Sequence, residues 1–195
     1  MNIEQILIDY QVLQTGHFLL TSGLHSDKYF EKFRILENPN LVEMFARQIV
    51  QHFQNYNINI VCGPTTGGII IAYEVARQMK TKCIFAETIA NQSGRVIRRG
   101  FIIPPYARIL VVDDILTTGG SLQETIHALQ NFSAEIAGVA VFIDRSANAI
   151  EFKQNDKKID LFSCYKVSIQ NYEPLDCPLC KNNIPLQSPG RSGKK

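Results

Sequence analysis

The stretch Arg108-Ile-Leu-Val-Val-Asp-Asp-Ile-Leu-Thr-Thr-Gly-Gly-Ser121 limits most sharply what this chain can fold into. Residues 109–112 are an unbroken apolar run, the pattern of a strand covered on both faces in a parallel sheet. Asp113 and Asp114 follow, where that strand is predicted to end. Thr117, Thr118, Gly119, Gly120 and Ser121 come next, and residues 122–129 carry a helical pattern. The order strand, acidic pair, hydroxyl- and glycine-rich turn, helix places an anion site at a helix N-terminus. It also places carboxylates able to meet a metal or sugar hydroxyls at the carboxyl end of a strand, where open α/β sheets bind ligands. Ser121-x-x-Glu124 reads as a capping box as well, and the same open N–H groups serve both uses. Two adjacent carboxylates at a buried strand end repel one another and lose hydration, which is costly without a cation or hydroxyl donors. The fold has no need of them, so they read as functional.

The rest of the chain supplies the sheet and a second turn of the same kind. Apolar residues at positions 3, 6, 7, 10 and 13 predict a helix over 3–13, ended by Gly16. A short strand is expected at 17–20, a polar turn at 21–27 and an alternating strand at 28–34. Asn38-Pro39 opens a helix over 41–53. Residues 58–62 form the next buried strand, followed by Gly63-Pro-Thr-Thr-Gly-Gly68 and a helix over 69–79. Glycine lacks the Cβ that would keep an anion from backbone N–H groups, so Thr65, Thr66, Gly67 and Gly68 suit a phosphate; a plain reversal between strand and helix is the alternative. A strand at 82–87 leads into a polar segment, 88–100, with Arg95, Arg98 and Arg99, expected as a mobile loop or hairpin whose arginines face a ligand or only water. Strands are expected at 136–143, ending at Asp144-Arg145, and at 159–167. The tail from 172 onward is expected to lie irregularly on the surface, with residues 190–195 disordered.

Bulk properties narrow the class. The chain of 195 residues can bury a full core, and 45% hydrophobic against 19% charged residues reads as globular rather than disordered. A net charge of +2 is too balanced to imply a nucleic-acid partner. No apolar run approaches the ~20 residues of a membrane span. The first residues have no basic n-region, so no secretory signal is expected. Five cysteines, with Cys62, Cys83 and Cys164 in strand-like runs, suggest buried thiols in a reducing cytoplasm. Cys177-x-x-Cys180 supplies half of a tetrahedral zinc site; no second pair lies near in sequence, and Cys164 or a histidine joins only through the fold.

The 117–121 turn lacks the lysine of a Walker loop and the spacing of a dinucleotide fingerprint. A phosphorylated sugar remains, its phosphate in the cradle and its hydroxyls toward the acids. Residues 111–121 resemble the phosphoribosyl-pyrophosphate motif of type I phosphoribosyltransferases. Three further features resemble orotate phosphoribosyltransferases: Ser22-Gly-Leu-His-Ser-Asp-Lys-Tyr-Phe30, the 63–68 loop, and Asp144-Arg145 after a strand. The Cys-Pro-Leu-Cys tail is similar to a subgroup of these enzymes.

The resemblance implies an α/β fold, a mainly parallel sheet flanked by helices, in one domain. A small hood would come from about 1–35 and 160–190 and the core from about 40–160. It implies transfer of phosphoribosyl from phosphoribosyl pyrophosphate to orotate, in pyrimidine biosynthesis. Mg²⁺ would be held mainly through substrate and water, with no protein metal ligand. It implies a homodimer with shared sites, and no nucleic-acid or membrane partner. Asp113, Asp114, Ile115, Leu116, Thr117, Thr118, Gly119, Gly120 and Ser121 would bind the sugar phosphate, and Thr65, Thr66, Gly67 and Gly68 the pyrophosphate. Thr117, Arg145, Ser22, Tyr29 and Phe30 would meet orotate, and Asp113, Asp114, Arg98 and Arg99 would act in catalysis. The chain departs from the family pattern at Thr21 and Thr66-Gly67, where lysine or Tyr-Lys is usual, and in a 88–100 loop without lysine. Either the arginines stabilise the leaving group, or activity is weak, or the base differs. A purine or xanthine phosphoribosyltransferase, or a non-catalytic regulator binding the sugar diphosphate, is the alternative function.

Overall fold

The structure is a computed structural model that describes residues 2–189, so the disorder expected for 190–195 lies outside the described residues. The chain divides into two compact units: residues 38–167, and residues up to 37 together with those from 168. The strand expected at 159–167 therefore belongs to the larger unit rather than to the hood, because it pairs with the sheet.

In the larger unit, α3 (Pro39–Phe53) starts at Asn38, whose side chain accepts from the N–H groups of Asn40 and Leu41. The helix begins two residues earlier than the apolar pattern suggests, since Pro39 fits a first turn that lacks N–H partners. Then follow β3 (Ile60–Pro64), α4 (Gly67–Met79), β4 (Lys82–Thr88), β5 (Arg95–Ile97), β6 (Arg108–Leu116), α5 (Gly120–Leu129), β7 (Glu135–Asp144) and β10 (Leu161–Lys166). The sheet order is β10-β7-β6-β3-β4-β5, parallel throughout except for β5, which runs antiparallel to β4. The 88–100 segment is thus a hairpin. A second hairpin, β8 (Lys153–Gln154) and β9 (Lys157–Lys158), turns through Asn155 and Asp156, both at positive φ (50° and 62°).

Strand periodicity sorts the core. Ile60, Cys62, Ile109, Val111, Val139 and Val141 share one cluster with Leu122, Ile126 and Leu129 of α5. Phe142, on the alternate parity of β7, stacks on Phe45 of α3 with ring centroids 5.1 Å apart. On that parity Gly138 lets α3 approach closely: a Cβ there would lie 2.2 Å from Phe53 Cε1.

In the smaller unit, α1 (Ile3–Asp9) is shorter than the predicted 3–13 helix. Tyr10 caps it, Gln11 turns to φ 55°, and Val12 and Leu13 are buried in the strand that follows. That strand, β1 (Leu13–Leu19), contains Gly16, and its register with β2 (His25–Phe30) shifts between Thr15 and Phe18. Gly16 therefore sits at a bulge and does not end a helix. The strand expected over 28–34 ends early: residues 33 and 34 instead open the short helix α2 (Phe33–Leu36), with Ile35 and Leu36 buried. The tail adds β11 (Asn171–Tyr172) beside β2 and a one-turn helix α6 (Pro178–Lys181), so it is more ordered than the irregular run expected. No helix among the described residues is long and apolar enough to cross a membrane.

Candidate functional site

The strand order reverses between β3 and β6: β3 continues outward to β4, while β6 continues the other way to β7. Loops leaving the carboxyl ends of two such strands diverge and open a crevice. The 65–68 loop follows β3, the 117–119 loop follows β6, and Arg145 follows β7. All three emerge from the same edge of the sheet, because these strands are parallel.

The acidic pair stands inside β6 rather than beyond it. Asp113 and Asp114 are 7% and 4% exposed. Hydrogen bonds make their burial tolerable. Asp113 Oδ1 accepts from the Asp114 N–H at 2.9 Å and Oδ2 accepts from Ser121 Oγ; Asp114 Oδ1 accepts from the Ile115 N–H at 2.7 Å. The bond from Ser121 fixes the first turn of α5 against the strand end. It also replaces the expected capping box. Gly119, not Ser121, is the residue before the helix, at φ 78°, and Glu124 pairs with Arg95 at 3.5 Å instead of reaching back. No side chain caps α5, so its first N–H groups are left for a ligand, while Thr117, Thr118 and Gly120 are exposed around them. Glycine is needed at 119 on two counts: the positive φ, and a Cβ that would meet Phe152 Cζ at 3.2 Å and Ile150 Cγ2 at 3.3 Å. Ile115 is half-buried and Leu116 is buried in the strand, with the Leu116 carbonyl accepting from the Arg145 N–H at 3.0 Å. That bond ties the end of β6, just before the 117–119 turn, to Arg145.

The 65–68 loop is compact. A Cβ on Gly68 would lie 2.5 Å from Pro64 Cδ, and the Thr65–Thr66 peptide is cis. Gly67 and Gly68 are buried, Thr66 is exposed, and no side chain caps α4 either. Two uncapped helix N-termini thus flank the crevice, each favouring an anion.

The arginines separate into different roles. Arg95 is pinned: Nη1 donates to Thr65 O (3.3 Å), Thr65 Oγ1 (3.2 Å) and Ala86 O (3.3 Å), and only 11% of its side chain is exposed. The sequence grouped Arg95 with Arg98 and Arg99 as facing a ligand or water, and its pinning within the hairpin differs from that expectation. The signal available was its place two residues before the end of a strand pairing with β4. Arg99 is 65% exposed and pairs with Glu87 at 2.6 Å, holding that carboxyl below the usual range mainly through this hydrogen bond. Arg98 is exposed beside them. Burial pushes the Cys62 thiol well above its ordinary range, so it stays protonated and is no nucleophile.

Ser22, Tyr29 and Phe30 belong to the smaller unit. Ser22 lies in the turn before β2, with Oγ accepting from Leu24 N–H at 3.5 Å. Tyr29 packs 5.7 Å from Phe18, and Phe30 is buried among that unit's apolar side chains.

A buried parallel sheet, a reversal point and two open helix N-termini around an acidic pair make a crevice suited to a phosphorylated ligand. Residues 33–176 match the phosphoribosyl transferase domain family, and the chain belongs to that family. Within it, the chain belongs to the orotate phosphoribosyltransferases. It is 43% identical over 188 residues to that of Caldanaerobacter subterraneus subsp. tengcongensis, covering 96% of this chain and 95% of that protein. It is 37% identical to that of Thermotoga maritima, covering 99% and 100%. In three dimensions it is similar to orotate phosphoribosyltransferase from Aeropyrum pernix, with a TM-score of 0.72 over 85% of this chain and 93% of that one, at 21% identity. The type I phosphoribosyltransferase fold expected from the sequence is the fold found.

Proposed function

We propose that the chain transfers the 5-phosphoribosyl group from phosphoribosyl pyrophosphate to orotate, giving orotidine 5′-phosphate and pyrophosphate in pyrimidine biosynthesis. The observation that carries this reading is the β6–α5 junction. Two buried, hydrogen-bonded carboxylates stand directly before an uncapped helix N-terminus ringed by exposed hydroxyls. The 5′-phosphate takes the N–H groups and hydroxyls of residues 117–121, and Asp113 and Asp114 take the ribose hydroxyls. The pyrophosphate takes Thr65 to Gly68, in a loop whose shape Arg95 holds. Arg145 and Thr117 meet orotate; a guanidinium fork suits its carboxylate. Arg98 and Arg99 take up charge on the departing pyrophosphate, Arg98 being exposed and Arg99 held only by a surface pair.

The anomeric carbon becomes oxocarbenium-like as its bond to pyrophosphate breaks and orotate nitrogen takes its place. The protein forms no bond in this step. It fixes both reactants in line and sets donors where charge develops. Mg²⁺ fits the donor set: carboxylate oxygens are its preferred partners, and these two are turned toward their own backbone and Ser121, which suits contact through water. When bound with the substrate, the ion neutralises charge on the pyrophosphate oxygens. The chain acts as a cytoplasmic homodimer, a reading supported by five free cysteines and by the family's habit of sharing sites.

The test is loss of orotate absorbance with each base in turn. Orotate is expected to be consumed only with phosphoribosyl pyrophosphate and Mg²⁺ both present. Turnover of adenine, guanine, xanthine or uracil in its stead would overturn the substrate, and binding of the sugar diphosphate without any turnover would indicate a regulator.

A further inference from the structure

The smaller unit contains a group of side chains that phosphoribosyl transfer does not use. His17 on β1, His25 on β2, and Cys177 and Cys180 of the tail bring one ligand atom each to within 4.8 Å of the others. His17 is 1%, His25 5% and Cys177 0% exposed, and Cys180 is the most exposed of the four. We propose that these four residues bind a structural Zn²⁺ ion that ties the N-terminal hairpin to the C-terminal segment.

The distances fit such a site. His17 Nε2 lies 3.5 Å from Cys177 Sγ and 3.7 Å from Cys180 Sγ, and His25 Nδ1 lies 3.3 Å from Cys180 Sγ. A tetrahedral zinc ion with ordinary Zn–S and Zn–N bonds sets nitrogen and sulfur about 3.5 Å apart. The two ring nitrogens are 2.9 Å apart and need to separate by only a few tenths of an ångström.

The tautomer of His17 is fixed from outside the cluster. Its Nδ1 is 2.8 Å from the Ile184 carbonyl, which only accepts, so Nδ1 carries the proton and Nε2 presents its lone pair to the other three residues. This is the outer hydrogen bond that metal-bound histidines ordinarily have. The two sulfurs come from one turn. Cys177 immediately precedes α6, and its carbonyl accepts from the Lys181 N–H at 3.2 Å. Neither sulfur is in a disulfide.

The charge balances. Two thiols release two protons to water, and two thiolates with two neutral imidazoles bind one Zn²⁺ in a neutral site. All four positions are filled by protein, the arrangement of structural rather than catalytic zinc. The unit has reason to need one. Its apolar core rests on a few side chains, among them Leu7, Phe18, Phe30 and Ile35, and the whole of residues 38–167 separates its two segments in sequence. Backbone pairing of Gln187 with His17 and Leu19, at 2.8 Å each, joins the same segments beside the cluster. A small unit with a thin core is where metals commonly replace apolar burial.

The test uses the full chain, produced with zinc and dialysed without chelator. About one zinc per chain is expected. Cobalt(II) in its place is expected to show the intense visible bands of a tetrahedral ion and a thiolate charge-transfer band. X-ray absorption at the zinc edge is expected to show two sulfur and two nitrogen neighbours. The Cys177→Ser/Cys180→Ser double variant is expected to lose the metal, whereas Cys83→Ser keeps it. Zinc no higher than in the buffer, a Cys177–Cys180 disulfide in the zinc-supplied protein, or equal metal in the double variant would overturn the proposal. The absorption and cobalt spectra use the natural sequence and so decide the matter even if the double variant fails to fold. Metal content is read without any turnover, so it stands or falls apart from the assignment of orotate.

Discussion

The two units are held by different means. The larger one is built on strands whose side chains are almost entirely withdrawn from water: Val61, Cys62, Ile109, Leu110, Val111, Val112, Ala140, Val141 and Phe142 are all fully buried. Its buried carboxylates Asp113 and Asp114 stand within β6, where a strand N–H and the Ser121 hydroxyl of α5 donate to them. The smaller unit instead buries His17, His25 and Ser26 among few apolar side chains. One unit is stable because apolar area leaves water. The other puts ring nitrogens and thiols where apolar side chains would otherwise pack, and needs something to hold them. The difference teaches where each unit is vulnerable: the first to a change of volume, the second to a change of ligation.

The largest effect is expected at Gly138→Ala. Its Cβ would sit 2.2 Å from Phe53 Cε1, so α3 must move off the sheet. Overpacking of this kind costs about 1–3 kcal/mol, and a melting scan should fall by about 2–4 °C per kcal/mol. A melt unchanged from the natural chain would show that the sheet face is looser than described. Next in size is chelation. Stripping zinc should raise amide hydrogen exchange in residues 13–30 and 171–187 while the amides of β3, β6 and β7 stay protected; uniform loss of protection would erase the contrast between the units. Gly119→Ala comes third. A non-glycine residue at φ 78° costs about 1–2 kcal/mol, and the cradle it begins should shift with it. A higher KM for phosphoribosyl pyrophosphate than for orotate, relative to the natural chain, is the expected kinetic result. The smallest effect is expected at Glu87→Gln. Because Arg99 lowers the Glu87 pKa in the folded chain, the pair adds stability above the unfolded carboxyl pKa and loses it as pH falls through the folded value. The variant's melting deficit should therefore be present near neutrality and shrink below about pH 4.

How much could be read in the sequence follows from the same contrast. A strand covered on both faces shows as an unbroken apolar run, so β6 and the turn after it were legible, and Asp113 and Asp114 stood out because carboxylates do not belong there. The run stops at Val112 but the strand goes on to Leu116, since Ser121 and neighbouring N–H groups let the carboxylates stay in it. Ser121 looked like a helix start because a capping box and a bond to a strand carboxylate ask for the same residue. In the smaller unit local patterns failed. The helical spacing over 3–13 is broken by a left-handed Gln11, and Gly16 marks a bulge inside a strand. Cys177 and Cys180 announced half of a metal site. Their partners are His17 and His25, about 160 residues away in the chain, and only the meeting of both termini reveals them.

The β6–α5 edge is proposed to hold the ribose phosphate. Calorimetric titration of phosphoribosyl pyrophosphate with Mg²⁺ into the natural chain and into Asp113→Asn/Asp114→Asn tests it most directly. Loss of charge-assisted bonds worth about 1.5–3 kcal/mol should weaken binding by roughly 10- to 100-fold in the variant, with its melting profile retained. Equal affinity in the two proteins would contradict the account.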